Sequence, residues 1–195
     1  MQQIPAFHFQ KLPSRKLLAL RLLLVLSFYF VTGKLGLSFP FIPPSITLIW
    51  LPTGIALAAF VRWGNAMLPA VLIAAFLVNF LNQTPFFASS FIAIGNTLAP
   101  FAVSLYLRHK HFSHAFVQRE DVIRFVVASA IGMSISASFG SFSLSQLGMI
   151  DQPKLAWISW WAGDTVGVFL AAPFLFSLSQ LKHKFKYALE ENLIF

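Results

Sequence analysis

The sequence predicts an all-α fold: a polytopic integral membrane helical bundle of about six transmembrane helices, with both termini cytoplasmic. Three observations carry this reading: an apolar composition, six apolar runs parted by turn signals, and basic residues confined to alternate ends of those runs. The 195 residues are 57% hydrophobic and only 10% charged, with a mean hydropathy of +0.75. Soluble domains carry about a quarter charged residues. A soluble fold of this length could not bury so much apolar surface. The chain has no cysteine, which excludes disulfides, thiolate metal sites and thiol nucleophiles. Its net charge of +8 sits in small clusters at the ends of apolar runs, not along one polar face. That is the membrane-orientation pattern, and nucleic acid is not an expected partner.

The first span, 17–38, follows Lys11, Arg15 and Lys16 and has no small-x-small cleavage site after it, so it reads as a signal anchor. "FPFIPPSIT" ends it. The second, 47–62, contains "WLPTGIALA". There Pro52 removes a backbone donor and Gly54 weakens the same turn, so a broken or kinked helix is expected. Carbonyls freed by the break must face protein or water. "WGN" leads to the third span, 66–82, and "NQTP" to the fourth, 87–107. The polar loop "RHKHFSHAFVQRED" precedes the fifth, 122–147, where Ser129, Gly132, Ser136, Gly140 and Ser143 form one small-residue packing stripe. "GMIDQP" precedes the sixth, 155–179. Each run is near the ~20 residues a bilayer requires. Residues 1–16 then form a cytoplasmic N-terminal segment, 17–180 the transmembrane domain and 181–195 a cytoplasmic tail or linker.

With the N-terminus inside, cytoplasmic ends hold Lys11, Arg15, Lys16, Arg21, Arg62, Arg108, Lys110, Arg119, Arg124, Lys182, Lys184 and Lys186. The outer side holds only Lys34 and Lys154. The bias sets the direction.

Asp164 lies in "WISWWAGDTVGVFLAAP", roughly 13 Å below the outer end of the sixth span at ~1.5 Å per residue. Asn96, in "AIGNTLAP", falls at about the same depth. Trp50, Pro52, Thr53 and Asn79 fall in the outer halves of their spans. A carboxylate facing lipid near mid-bilayer costs at least ~2.5 kcal/mol, so Asp164 is expected to face the interior. Trp157, Trp160 and Trp161 precede it on one stripe. Gly163 and Gly167 offer small surfaces to a neighbouring helix. The expected ligand-binding set is Asp164, Asn96, Trp160, Trp161, Trp50, Thr53, Asn79 and Lys34, around an outward-facing pocket.

A buried carboxylate must be paired, hydrogen-bonded or protonated. Lys34, the only basic residue in the outer half of a span, is one expected partner. A cationic or hydrogen-bonding ligand against the tryptophan faces is the other. The purely structural reading makes Asp164 an anchor hydrogen-bonded to Asn96 or Thr97. No nucleophile is paired with a base and no second carboxylate lies near Asp164, so no catalytic residue and no enzyme activity are expected. His109, His111 and His114 lie in a basic solvated loop without a cysteine or carboxylate set, so no metal site is expected. No histidine falls in a span, which also argues against a bis-histidine haem. No cofactor is expected.

"WLPTGIALA", "FLVNFL", "AIGNTL", "REDVIRF", "SISASFGSFSL" and "WWAGDTVGVFLAAP" follow in that order between Tyr29 and Leu178. Together they resemble the bacterial membrane-associated sensor domain of the first type, the MASE family. The resemblance implies an inner-membrane sensory input domain, usually fused to a cytoplasmic diguanylate cyclase or histidine kinase. It departs at Ala99 and Pro100, where the family often has an acidic residue, so a second acid is not expected at the site. Members often carry two further spans, and the chain reads as one module of a longer protein. Expected partners are membrane lipid, an unidentified small molecule, a cytoplasmic output domain and a second copy in a homodimer. A solute-binding or transport subunit is the alternative, disfavoured because "VFLAAPFLFSL" has no ionisable residue to continue a polar path. A membrane anchor recruiting protein partners is the third reading.

Overall fold

Ser14 caps the first helix: its hydroxyl accepts a 3.4 Å hydrogen bond from the Leu17 amide, and α1 runs Arg15–Leu37. The computed structural model describes residues 14–39, 41 and 46–191. After α1 come α2 (Leu51–Trp63), a 3₁₀ turn (Gly64–Met67), α3 (Leu68–Phe80), α4 (Phe86–His109), α5 (Arg119–Gln146) and α6 (Pro153–Glu191). The fold is all-helical. Five helical stretches are long and apolar enough to cross a membrane, and one of them, Leu51–Phe80, contains both α2 and α3.

That stretch is not one rod. Gly64 takes φ +73° at the turn, a left-handed conformation that costs glycine little. Both far ends return to α1: a methyl group at Gly33 would touch the side chains of Val78 and Trp50. At the other end of α1, Arg21 lies 5.5 Å over the Trp63 ring. α2 and α3 therefore form a hairpin whose turn sits beside the start of α1.

The expected span 47–62 needs correction. Its helix starts at Leu51, with Pro52 in the first turn, where the missing N–H would be unsatisfied anyway. Pro52 opens the helix and does not kink it. Thirteen residues give only ~18 Å of helix against a ~30 Å hydrocarbon core. A non-helical segment, residues 46–50, precedes α2. This segment lies on α6, where the Trp50 amide donates to the Gly163 carbonyl at 3.0 Å. A methyl at Gly163 would collide with the Thr47 carbonyl, and one at Gly167 with that of Trp50. These two glycines therefore accept a non-helical backbone segment, not the neighbouring helix expected from their spacing.

Contacts between helices form two four-membered rings sharing the α2–α4 edge. One ring is α1, α3, α4 and α2; the other is α2, α4, α5 and α6. The first encloses an apolar core around Tyr29, Phe60, Met67 and Val71. The second holds one cluster around Leu57, Val103 and Phe125 and another around Ile92, Leu144 and Trp160. The small-residue stripe on α5 packs as expected, with Gly132 against Val103 and Gly140 against the Trp160 indole. Large apolar side chains face outward instead, including Leu23, Ile131 and Phe174, each more than half exposed. Thr53, Asn96, Ser136 and Asp164 are buried at 1% exposure or less. A belt of apolar residues around a polar interior suits lipid as solvent.

Candidate functional site

Every helix contributes to one buried polar cluster. α6 brings Asp164, which is fully buried, and α2 brings Thr53, whose hydroxyl donates to Asp164 Oδ1 at 2.6 Å. α5 brings Ser136, whose Oγ donates to Asn96 Oδ1 on α4 at 2.6 Å. The same Oγ accepts from Trp160 Nε1 at 3.2 Å. The Ser136 hydroxyl and the Trp160 indole also stand beside the Asp164 carboxylate. α1 adds the buried Tyr29 hydroxyl, which faces Asn96 and Trp50 within range of the Asp164 charge. α3 adds Asn79, whose Nδ2 donates to the Ala75 carbonyl at 2.9 Å.

Local sequence explains the positions. Pro100 sits four residues after Asn96 in α4 and removes the backbone donor that would bond the Asn96 carbonyl. The Thr97 hydroxyl turns back onto the Ala93 carbonyl at 2.7 Å. The protein partner of Asp164 is therefore Thr53, not the Asn96 or Thr97 expected from shared depth.

Several buried polar atoms here have no protein partner: Tyr29 Oη, Trp50 Nε1, Asn96 Nδ2, Asp164 Oδ2 and Thr165 Oγ1. Each unsatisfied buried group costs about 1–3 kcal/mol. Ile46, Thr47, Trp50, Asn79, Asn96 and Trp160 enclose a cavity of ≈ 10 Å³, about what one water requires. Of these atoms, the donors of Trp50 and Asn96 belong to residues that line the cavity, which suits a small species that receives hydrogen bonds. Among the described residues this cavity is small, with room for about one water.

Six of the eight expected residues come together: Asp164, Thr53, Asn96, Trp160, Trp50 and Asn79. Lys34 does not join them. Its Nζ lies 3.4 Å from the Leu81 carbonyl at the rim of α3, so it is not the partner of Asp164. Trp161 turns the other way, donating to the Ala130 carbonyl at 2.6 Å. It also stacks on Trp157 with ring centroids 6.5 Å apart, while Trp157 donates to Ser138 Oγ at 3.0 Å. The tryptophan stripe is thus divided between the cluster and the α5 face.

Tyr29 and Ser136 belong to the cluster and were absent from the expected set. The small-residue stripe alone marks Ser136 as packing. Its sequence signal was its place, with Gly132 and Gly140 one turn away on either side. Tyr29 carries the one phenol of α1.

A family model, MASE1, matches residues 20–191. No curated protein sequence and no solved structure matches the chain. MASE1 is a membrane-associated sensory domain found in signalling proteins and is not itself catalytic. The match takes in α2 to α5 whole, nearly all of α1, α6 to its last residue, and every residue of the polar cluster; the chain belongs to the MASE1 family.

Proposed function

We propose that the chain is the sensory input domain of a bacterial signalling protein, embedded in the inner membrane and reporting on a small hydrogen-bonding ligand in its polar cluster. The polypeptide crosses the membrane six times, with the non-helical segment before α2 completing the second crossing and both termini in the cytoplasm. Residues 1–16 and 181–195 flank the transmembrane sensor, and the latter lead to an output domain of diguanylate cyclase or histidine kinase type. The charge segregation supports this direction. Arg21 meets Trp63, and Arg108 reaches Asn65 at 3.5 Å, at one end of the bundle.

One observation carries the reading. α6 holds Asp164 and stays helical over its 39 residues to Glu191, with Pro173 inside it, beyond its apolar stretch Pro153–Leu178. A change at Asp164 acts on a helix that extends past the apolar stretch. A hydrogen bond to a charged group contributes about 1.5–3 kcal/mol, and ~1.4 kcal/mol is tenfold in an equilibrium. A ligand that competes with Thr53 for Asp164 can therefore shift two helix packings by one to two decades, provided it binds them unequally.

The test fuses residues 1–195 to a diguanylate cyclase reporter. Asp164→Asn and Thr53→Val should each shift basal cyclase output several-fold at matched membrane expression. Unchanged output from two folded variants would remove the polar cluster from the signalling path.

A further inference from the structure

A second site lies away from the polar cluster. α1 and α6 both pack against α2 and leave between them a groove of ≈ 530 Å³. That volume falls within the ~300–1,000 Å³ of ordinary ligand sites. Ala58 and Ala59 form part of the floor, and Leu24 and Phe28 of α1 face Leu170 and Phe174 of α6 across it. These walls are partly exposed, so the groove opens sideways into the surrounding lipid. It follows α2 from Leu51 to Trp63, about 18 Å by helical rise.

Among the described residues that line the groove, the charged one is Arg62, at one end. Arg62 and Trp63 line that end, and Arg21 sits over the Trp63 ring at 5.5 Å. Arg62 is exposed, and among the described residues the one ion pair is Arg124–Asp121. A long apolar slot with unpaired cations at one mouth matches an amphiphile with one anionic head and an extended tail. A second copy fits less well, because it must set a carboxylate opposite Arg62. Of the exposed carboxylates among the described residues, Asp151 lies at the far end of the bundle.

We propose that this groove binds one anionic phospholipid of the membrane, with the phosphate on Arg62 and Arg21 and an acyl chain along Ala58 and Ala59 between α1 and α6. The tail touches α6 at Leu170 and Phe174, between Asp164 and the end of the apolar stretch. Occupancy therefore acts on the same helix as the polar cluster, from its outer face.

The purified full chain is equilibrated in mixed micelles of equimolar phosphatidylglycerol and phosphatidylcholine, and retained lipid is read by native mass spectrometry. One phosphatidylglycerol per chain should be retained in preference to phosphatidylcholine. Arg62→Gln should cut that preference about fivefold, whereas Arg119→Gln should leave it unchanged. Ile55→Trp, which fills the groove, should abolish retention of either lipid. Should that variant fail to fold, the Arg62 and Arg119 pair still decides. Equal retention of the two lipids, equal losses in Arg62→Gln and Arg119→Gln, a bound fatty acid, or a dimer without lipid would each overturn the assignment.

Discussion

The Thr53 hydroxyl donates a 2.6 Å hydrogen bond to Asp164 across 111 residues of sequence, and both side chains are fully buried. This contact joins the first turn of α2 to the middle of the apolar stretch of α6. Removing the Thr53 hydroxyl takes away the hydrogen bond on Oδ1 and leaves the Ser136 hydroxyl and the Trp160 indole beside the carboxylate.

Thr53→Val keeps the side-chain volume and deletes only that donor. The expected cost is about 1–3 kcal/mol, which lowers Tm by roughly 2–12 °C for a domain of this size. Thr53→Ser should recover most of the loss. Lys34→Met should stay within ~0.5 kcal/mol, because Nζ meets only a rim carbonyl. Thermal unfolding in detergent checks all three. A large loss in Lys34→Met with none in Thr53→Val would return Lys34 to the role of Asp164's partner.

Two serines on one stripe of α5 should respond oppositely to alanine. Ser136 Oγ serves both Asn96 and Trp160, so Ser136→Ala should destabilise by about 1–3 kcal/mol. Ser129 Oγ is buried without a partner, so Ser129→Ala should be neutral or stabilising. Equal effects from the two variants would show that packing alone governs this stripe.

The Gly167 backbone touches the Trp50 carbonyl so closely that an added methyl would collide. Gly167→Ala should push the segment before α2 off α6 and cost about 1–3 kcal/mol, as overpacking does. Val166→Ala, on the exposed side of the same turn, is the control. The Trp50–Gly163 hydrogen bond, followed by amide exchange at Trp50, should open in the first variant and persist in the second.

Depth was legible in the sequence and rotation was not. Rise per residue fixes the level of a side chain whichever way its helix turns. Asp164, Asn96, Thr53, Trp50 and Asn79 were therefore placed together correctly, and Trp160 joins them on the inner face. Lys34 and Trp161 belong to the same outer half yet point to a rim carbonyl and to α5. Hydropathy could not separate the non-helical residues 46–50 from the helix that follows, since both are apolar. What seats that segment on α6 is a pair of glycines more than a hundred residues later. Tyr29 and Ser136 were missed for a related reason. A phenol in an apolar run and a serine between glycines each look like packing until the opposite helix face is known.

The chain has no native cysteine, so single labelling sites report topology directly. Ala115→Cys in the α4–α5 loop should react with an impermeant maleimide only after the cytoplasmic face is opened. Phe41→Cys, between α1 and α2, should react on intact cells. Both positions are exposed. Labelling of Ala115→Cys from outside would contradict six crossings with a cytoplasmic N-terminus.

The central claim is that the polar cluster sets how α6 packs against the rest of the bundle. Spin labels at Leu105→Cys on α4 and Ser177→Cys on α6, both exposed, read that packing as a distance between the two helices. Electron–electron resonance in lipid nanodiscs should give one narrow distribution for the parent chain. Adding Asp164→Asn should broaden or shift it, and Thr53→Val should move it in the same direction. Identical distributions in all three folded proteins would contradict the claim and leave Asp164 as an anchor without a role in signalling.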